Sequence, residues 1–132
     1  MSLPGPKRRI LVVDDNIDAA VSLSRLLAMM GHDVQIARDG NSAIFMARSM
    51  MPEFIVLDIG LPGFDGFQVA EMLRREAGMG ALKIIAVTGH GREEDRERSH
   101  HVGIDHYLLK PVDPNFLESL FGNASTNGRK PV

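Results

Sequence analysis

Three stretches of the chain are apolar at every position: Ile10-Leu11-Val12-Val13, Phe54-Ile55-Val56-Leu57 and Ile84-Ile85-Ala86-Val87. Short β-rich runs without alternation predict strands covered on both faces, as in a parallel sheet. Two weaker segments predict edge strands: 33–37, where Val34 and Ile36 alternate with polar residues, and 106–110. Between the strands the apolar period lengthens to that of a helix. Leu23, Leu26, Leu27 and Met30 form one such stripe, closed by Gly31; Ile44, Ala47 and Met51 form another, stopped by Pro52. Val69, Met72 and Leu73 make a third, opened by Asp65 and Gly66. Leu117, Leu120 and Phe121 make the last, with Asp113 as N-cap and Pro114 at the first helical position. The segment 92–102 favours a helix but has almost no apolar face, so its packing is expected to be thin and its mobility the greatest. The paired methionines 29–30 and 50–51 are expected as core residues at helix ends.

Five strands alternating with five helices, joined by right-handed crossovers, predict an open doubly wound α/β sheet. With the three unbroken runs central, the strand order 2-1-3-4-5 fits, the flavodoxin-like arrangement. Ligands in that topology lie beyond the carboxyl ends of the first and third strands.

Composition narrows the field. At 132 residues the chain suits one domain, and 44% hydrophobic against 24% charged residues is enough to bury a core. Residues 1–7 are basic and contain Pro and Gly, and resemble a disordered arm or expression scar; 8–121 form the expected domain and 122–132 a flexible tail. A net charge of −2 provides no field for nucleic acid or an anionic membrane, and no apolar run approaches a bilayer span. The absence of cysteine removes disulfides, thiolate metal sites and cysteine nucleophiles. A cytoplasmic monomer without direct nucleic-acid contact or membrane insertion is the expectation. The five histidines show no paired metal spacing.

Each strand around the expected crevice ends in a chemically capable group: Asp14 and Asp15, Asp58, Thr88, and Lys110. Singly, each has a structural alternative. Asp15 can cap the helix that begins near Asn16, Asp58 can be a turn residue before Gly60 and Pro62, Thr88 a turn hydroxyl, and Lys110 a solvated edge lysine. Jointly the alternatives are weaker, because Asp65 and Gly66 already start the next helix and leave Asp58 without a structural task. Three converging carboxylates repel one another unless a cation intervenes. An all-oxygen acidic set suits Mg²⁺, with Mn²⁺ as the alternative. The three carboxylates then balance the metal and the Lys110 ammonium, which leaves room for an anion.

The pair Asp14-Asp15, the run Asp58-Ile59-Gly60-Leu61-Pro62-Gly63-Phe64-Asp65-Gly66, Thr88-Gly89, and Tyr107 ahead of Lys110-Pro111 resemble the response-regulator receiver family of two-component signalling. The resemblance spans the folded body and implies a phosphorelay module rather than an enzyme. Asp58 would be the phosphoacceptor. Asp15, Asp58 and the Gly60 main-chain carbonyl would hold Mg²⁺ directly, and Asp14 mostly through water. Lys110, the Thr88 hydroxyl and the Gly89 amide would bind the phosphoryl oxygens, while Gly60 and His90 would tune phosphate lifetime. Thr88 and Tyr107 would form the switch, although a half-buried edge tyrosine is the equal alternative, and Lys110-Pro111 would be a cis peptide. The donor would be a phosphohistidine on a histidine kinase or a histidine phosphotransfer domain. Its helices would dock on the first helix and the loop after Pro111. The parent would be a free-standing regulator or, from the stretches 58–62 and 110–113, a hybrid sensor kinase.

Three rivals fit less well. A haloacid-dehalogenase-type phosphatase wants a second aspartate where Gly60 stands, and a flavodoxin-type carrier wants a Gly-, Ser- or Thr-rich first loop where Asp14-Asp15-Asn16 is acidic. A non-phosphorylated scaffold receiver usually lacks an acidic or lysine site residue, and none is missing here.

Overall fold

The computed structural model describes residues 6–60, 65–76, 80–89 and 93–123. The expectations for the first five residues, for Leu61 to Phe64, for His90 and for the tail beyond Asn123 lie outside the described residues. Strands β1 (Arg9–Val13), β2 (Asp33–Ala37), β3 (Phe54–Asp58), β4 (Lys83–Thr88) and β5 (His106–Leu109) alternate with helices α1 (Ile17–Met29), α2 (Gly40–Met50), α3 (Gly66–Arg75), α4 (Glu93–His101) and α5 (Pro114–Asn123). The strands form one sheet in the order β2-β1-β3-β4-β5, all neighbours parallel.

The unbroken apolar runs are central because each strand there faces a core on both sides. Leu11, Val13, Ile55, Leu57, Ile84 and Ala86 pack with α2 and α3, while Ile10, Val12, Phe54, Val56, Ile85 and Val87 pack with α1 and α5. Burying an aliphatic side chain of this kind contributes about 1.5–3 kcal/mol, and both faces of each central strand supply it.

Helix ends depart from the sequence expectation at several points. The N-cap of α1 is Asn16, whose side chain accepts from the Ala19 amide, and not Asp15. Asn and Asp cap equally well, and the residue nearer the helix takes the position. Gly31 closes α1 as expected, with φ at 100°. Helix α2 ends at Met50; Met51 turns into the left-handed region (φ 48°) ahead of Pro52, which cannot continue a helix. Met51 is therefore 43% exposed and Met29 82% exposed, so neither is the core residue expected, whereas Met30 and Met50 pack partly buried. Leu26 and Met72 also turn outward, and Ala20, Ala43, Phe67 and Ala70 take core places instead. Helix α5 carries on through Gly122 and Asn123. Among the described residues, no helix is long and apolar enough to cross a membrane.

At the end of the sheet opposite the candidate site, the buried Arg8 ties the structure together. Its guanidinium donates to the Phe121 carbonyl at 3.1 and 2.8 Å and to Glu53 at 3.1 Å. The buried His32 accepts from the Arg8 amide through Nδ1 at 3.0 Å and meets Glu118 through Nε2 at 2.7 Å. His32 is thus a structural histidine.

Candidate functional site

The parallel ladders carry the expected groups to one rim. Asp58 is the last residue of β3 and stands beside Val87; Thr88 is the last of β4 and stands beside Leu109. The backbone pairing runs one step beyond each strand: Ile59 N–H donates to Val87 O at 3.1 Å, and Lys110 N–H to Thr88 O at 2.8 Å. Asp14 N–H does the same toward Ala37 O at 3.1 Å.

Asp58 is 3% exposed. Its Oδ2 takes a short contact from Lys110 Nζ, and its Oδ1 accepts from the Gly60 amide at 2.9 Å. Both oxygens of a buried carboxylate are therefore engaged, as burial of a charge requires. A Cβ placed on Gly60 would lie 3.4 Å from Thr88 Oγ1, 3.7 Å from Asp58 Oδ1 and 3.9 Å from the Gly89 amide nitrogen. The strand-end aspartate, the threonine hydroxyl and the Gly89 amide thus border one small space that has no side chain in it. Gly66 closes the loop behind: a Cβ there would come within 2.2 Å of Ile59 Cγ2, so only glycine lets the start of α3 approach.

Asp14 is 8% exposed and accepts from the Asn16 amide at 2.9 Å. Burial pushes its carboxyl above the ordinary range; the Asn16 amide opposes this, the Asp58 charge adds to it, and Lys110 and then Asp15 contribute opposite, smaller effects. Asp14, Asp58 and Lys110 share the polar end of a cleft of about 530 Å³ whose other wall includes Leu23, Leu26 and Val112. Asp15 is exposed and borders a separate cleft with Arg38, Asp39 and Ser42. The structure therefore unites Asp14, Asp58, Thr88, Gly89, Lys110 and Gly60, and leaves Asp15 at the edge. Among the described residues no three acidic or histidine side chains are already gathered as a metal-holding group.

Tyr107 is half-buried on β5, with the Arg96 guanidinium carbon 5.1 Å from its ring centroid. The Lys110–Pro111 peptide is cis. Two roles carry no signal in the sequence, those of the Gly60 and Asn16 amides. The Gly60 amide carries no side-chain signal at all. Asn16 caps α1 in place of Asp15, and its own amide also orients Asp14.

Comparison with known proteins agrees with this geometry. The model of the response regulator receiver domain matches residues 10–121. Protein PilH of Pseudomonas aeruginosa is 36% identical over 109 residues, 83% of this chain and 90% of PilH. The phosphate regulon transcriptional regulatory protein PhoB of Klebsiella pneumoniae is 36% identical over 110 residues, 83% of this chain but 48% of PhoB, so the chain spans about half of such regulators. A CheY-like receiver domain protein of Methanospirillum hungatei superposes with a TM-score of 0.81 at 28% identity, covering 89% of this chain and 93% of that one. With the receiver model matched over residues 10–121 and the sheet in the order β2-β1-β3-β4-β5, the chain belongs to the response regulator receiver domain family of two-component signalling.

Proposed function

We propose that Asp58 accepts a phosphoryl group from a phosphohistidine of a partner histidine kinase or histidine phosphotransfer domain, and that the chain is a signalling module and not an enzyme acting on free substrates. The observation that carries this is the buried Asp58 carboxylate held between Lys110 and the Gly60 amide, with Thr88 Oγ1 and the Gly89 amide beside it. A carboxylate oxygen forms the new P–O bond as the P–N bond breaks, and the imidazole departs with the electron pair. Phosphoryl transfer asks the protein mainly for alignment and for neutralisation of oxygen charge. Lys110 moves its contact from the carboxylate to a phosphoryl oxygen, and Thr88 and Gly89 donate to the others.

The donor set suits Mg²⁺, with Mn²⁺ as a substitute: Asp15, Asp58 and the Gly60 carbonyl would hold it directly and Asp14 mostly through water, in a site where burial and Asp58 already push the Asp14 carboxyl upward. When bound, the ion would supply the remaining neutralisation of phosphoryl oxygens. In the same reading Thr88 is drawn inward on phosphorylation and Tyr107 follows it. Gly60, which leaves the acceptor's flank open, and His90 influence how long the phosphate persists. The donor helices dock on the apolar wall of the cleft, at Leu23, Leu26, Val112 and Pro114. The stretches 58–62 and 110–113 favour a hybrid sensor kinase over a free-standing regulator as the parent, and a cytoplasmic location goes with either reading.

Incubation with acetyl phosphate and Mg²⁺, followed by intact-mass measurement, tests the reading. Gain of one phosphoryl group in the native chain and none in Asp58→Ala is expected. Equal labelling of both chains, or none in either, would overturn it.

A further inference from the structure

Helices α2 and α3 lie side by side over one face of the sheet, with Ile44, Ala47, Ala70 and Leu73 turned into the core. Their outward faces are joined by an ion pair: the Arg48 guanidinium donates through Nε and Nη2 to the two carboxylate oxygens of Glu76, each at 2.8 Å. Both helices connect strands of one parallel sheet and so run in the same direction. Phe45 stands one turn before Arg48 on α2, and Met72 one turn before Glu76 on α3. The groove that the ion pair bridges therefore carries Phe45 on one bank and Met72 on the other. Phe45 is 69% exposed, the most exposed aromatic side chain among the described residues, and Met72 is 49% exposed. Neither contributes to the core, and exposed apolar side chains gathered on one face mark an interaction surface.

We propose that the α2–α3 groove is a self-association surface, covered by the same groove of a second copy of the chain. A two-fold axis along the groove sets α2 of one copy over α3 of the other, with each residue at the height of its own neighbour across the groove. Phe45 then meets the second copy's Met72, and Arg48 meets the second copy's Glu76, each contact being made twice. Charge selects this occupant. The flanks of the groove hold Arg48 with Glu76 and Arg75 with Glu71, the latter pair at 3.1 Å. Two cations and two anions cancel, so the face offers no field to nucleic acid, to an anionic membrane or to a charged peptide. Opposite charges that exchange places under a two-fold rotation are complementary to themselves. An aromatic ring and a thioether suit the apolar centre of such a contact. That centre is small, which places the dimer among the weak, transient associations. The proposal is independent of phosphoryl transfer, because α1, α5 and the apolar wall of the Asp58 cleft lie on the opposite face of the sheet.

Sedimentation velocity of the full chain from about 10 µM to about 1 mM, the range of a weak dimer, tests the surface. The weight-average mass should climb from 14.5 kDa toward twice that value along the series. Phe45→Ser should weaken association about tenfold, and Met72→Ser by a smaller factor, with the far-ultraviolet circular dichroism unchanged because both side chains face solvent in the single chain. Arg48→Glu alone and Glu76→Arg alone each set like charges across the axis and should stay monomeric. Mixed in equal amounts, the two variants set opposite charges at both crossings, and the mixture should associate although neither component does. A role for the Arg48–Glu76 pair confined to one chain cannot produce that rescue. A mass of 14.5 kDa at every concentration, association unchanged in Phe45→Ser, or a mixture no stronger than its components would each overturn the proposal.

Discussion

Helices α3 and α4 follow consecutive strands and are nearly equal in length, at 10 and 9 residues, yet they are held by different forces. Helix α3 is opened by the Asp65 cap, buries Phe67, Val69, Ala70 and Leu73, and carries Arg74 into a three-point clamp. Helix α4 has an orphan hydroxyl inward and guanidinium contacts at its flank. Hydrophobic burial is non-directional and little affected by salt, whereas exposed charge contacts are weak and screened. The half of the molecule that positions the acceptor is therefore rigid, and the element beside the proposed switch tyrosine is loosely tethered.

The strongest test of that contrast is Leu73→Ala. Leu73 is fully buried, and its truncation should destabilise the fold by about 2–5 kcal/mol, measured by urea unfolding with the slope unchanged. A loss below about 1 kcal/mol would mean that α3 is not the anchored helix described. Arg74→Ala removes bonds to two carbonyls and to Asp105 and should cost about 2 kcal/mol in the same measurement. Arg98→Ala, by contrast, should lower global stability by less than about 1 kcal/mol, because its side chain is 50% exposed; a larger loss would place α4 within the main cooperative unit.

The smallest effect concerns the Asp39 cap of α2. The Ser42 amide, and then the Ser42 side chain, hold the Asp39 carboxyl below its ordinary value of 3.8. A carboxyl depressed in the folded state contributes stability above that value and loses it as pH falls through the folded one. Asp39→Ala should therefore melt below the native chain at neutral pH, and the gap should close progressively in acid. A gap that does not change with pH would show that the cap acts without its charge.

The central sheet was legible because its signal is local: twelve consecutive-run positions from Ile10 to Val87 that are apolar without alternation are all buried. The rim residues were legible because strand ends carry them there by topology alone. Methionine placement was not: Met51 continues the stripe of Ile44 and Ala47 but falls past the end of α2, and Met29 lies off the stripe that Leu27 and Met30 share. Asp15 illustrates a similar limit: adjacent residues leave a strand in different directions, and the pair divides between two clefts. The Arg8, Arg74 and Arg98 contacts join residues 113, 31 and 33 positions apart, and nothing in the local pattern marks an arginine for such a partner.

Chemical trapping of the phosphorylated state addresses the acceptor directly. Borohydride reduces an aspartyl phosphate to homoserine, so native chain charged by a phosphohistidine donor and reduced at once should carry homoserine at position 58. Peptide sequencing by mass spectrometry would read it. Homoserine at 58, lost when Lys110→Ala is charged in parallel, is the predicted result; homoserine at Asp14 or Asp15, or at no position in a chain that has taken up phosphate, would contradict the account.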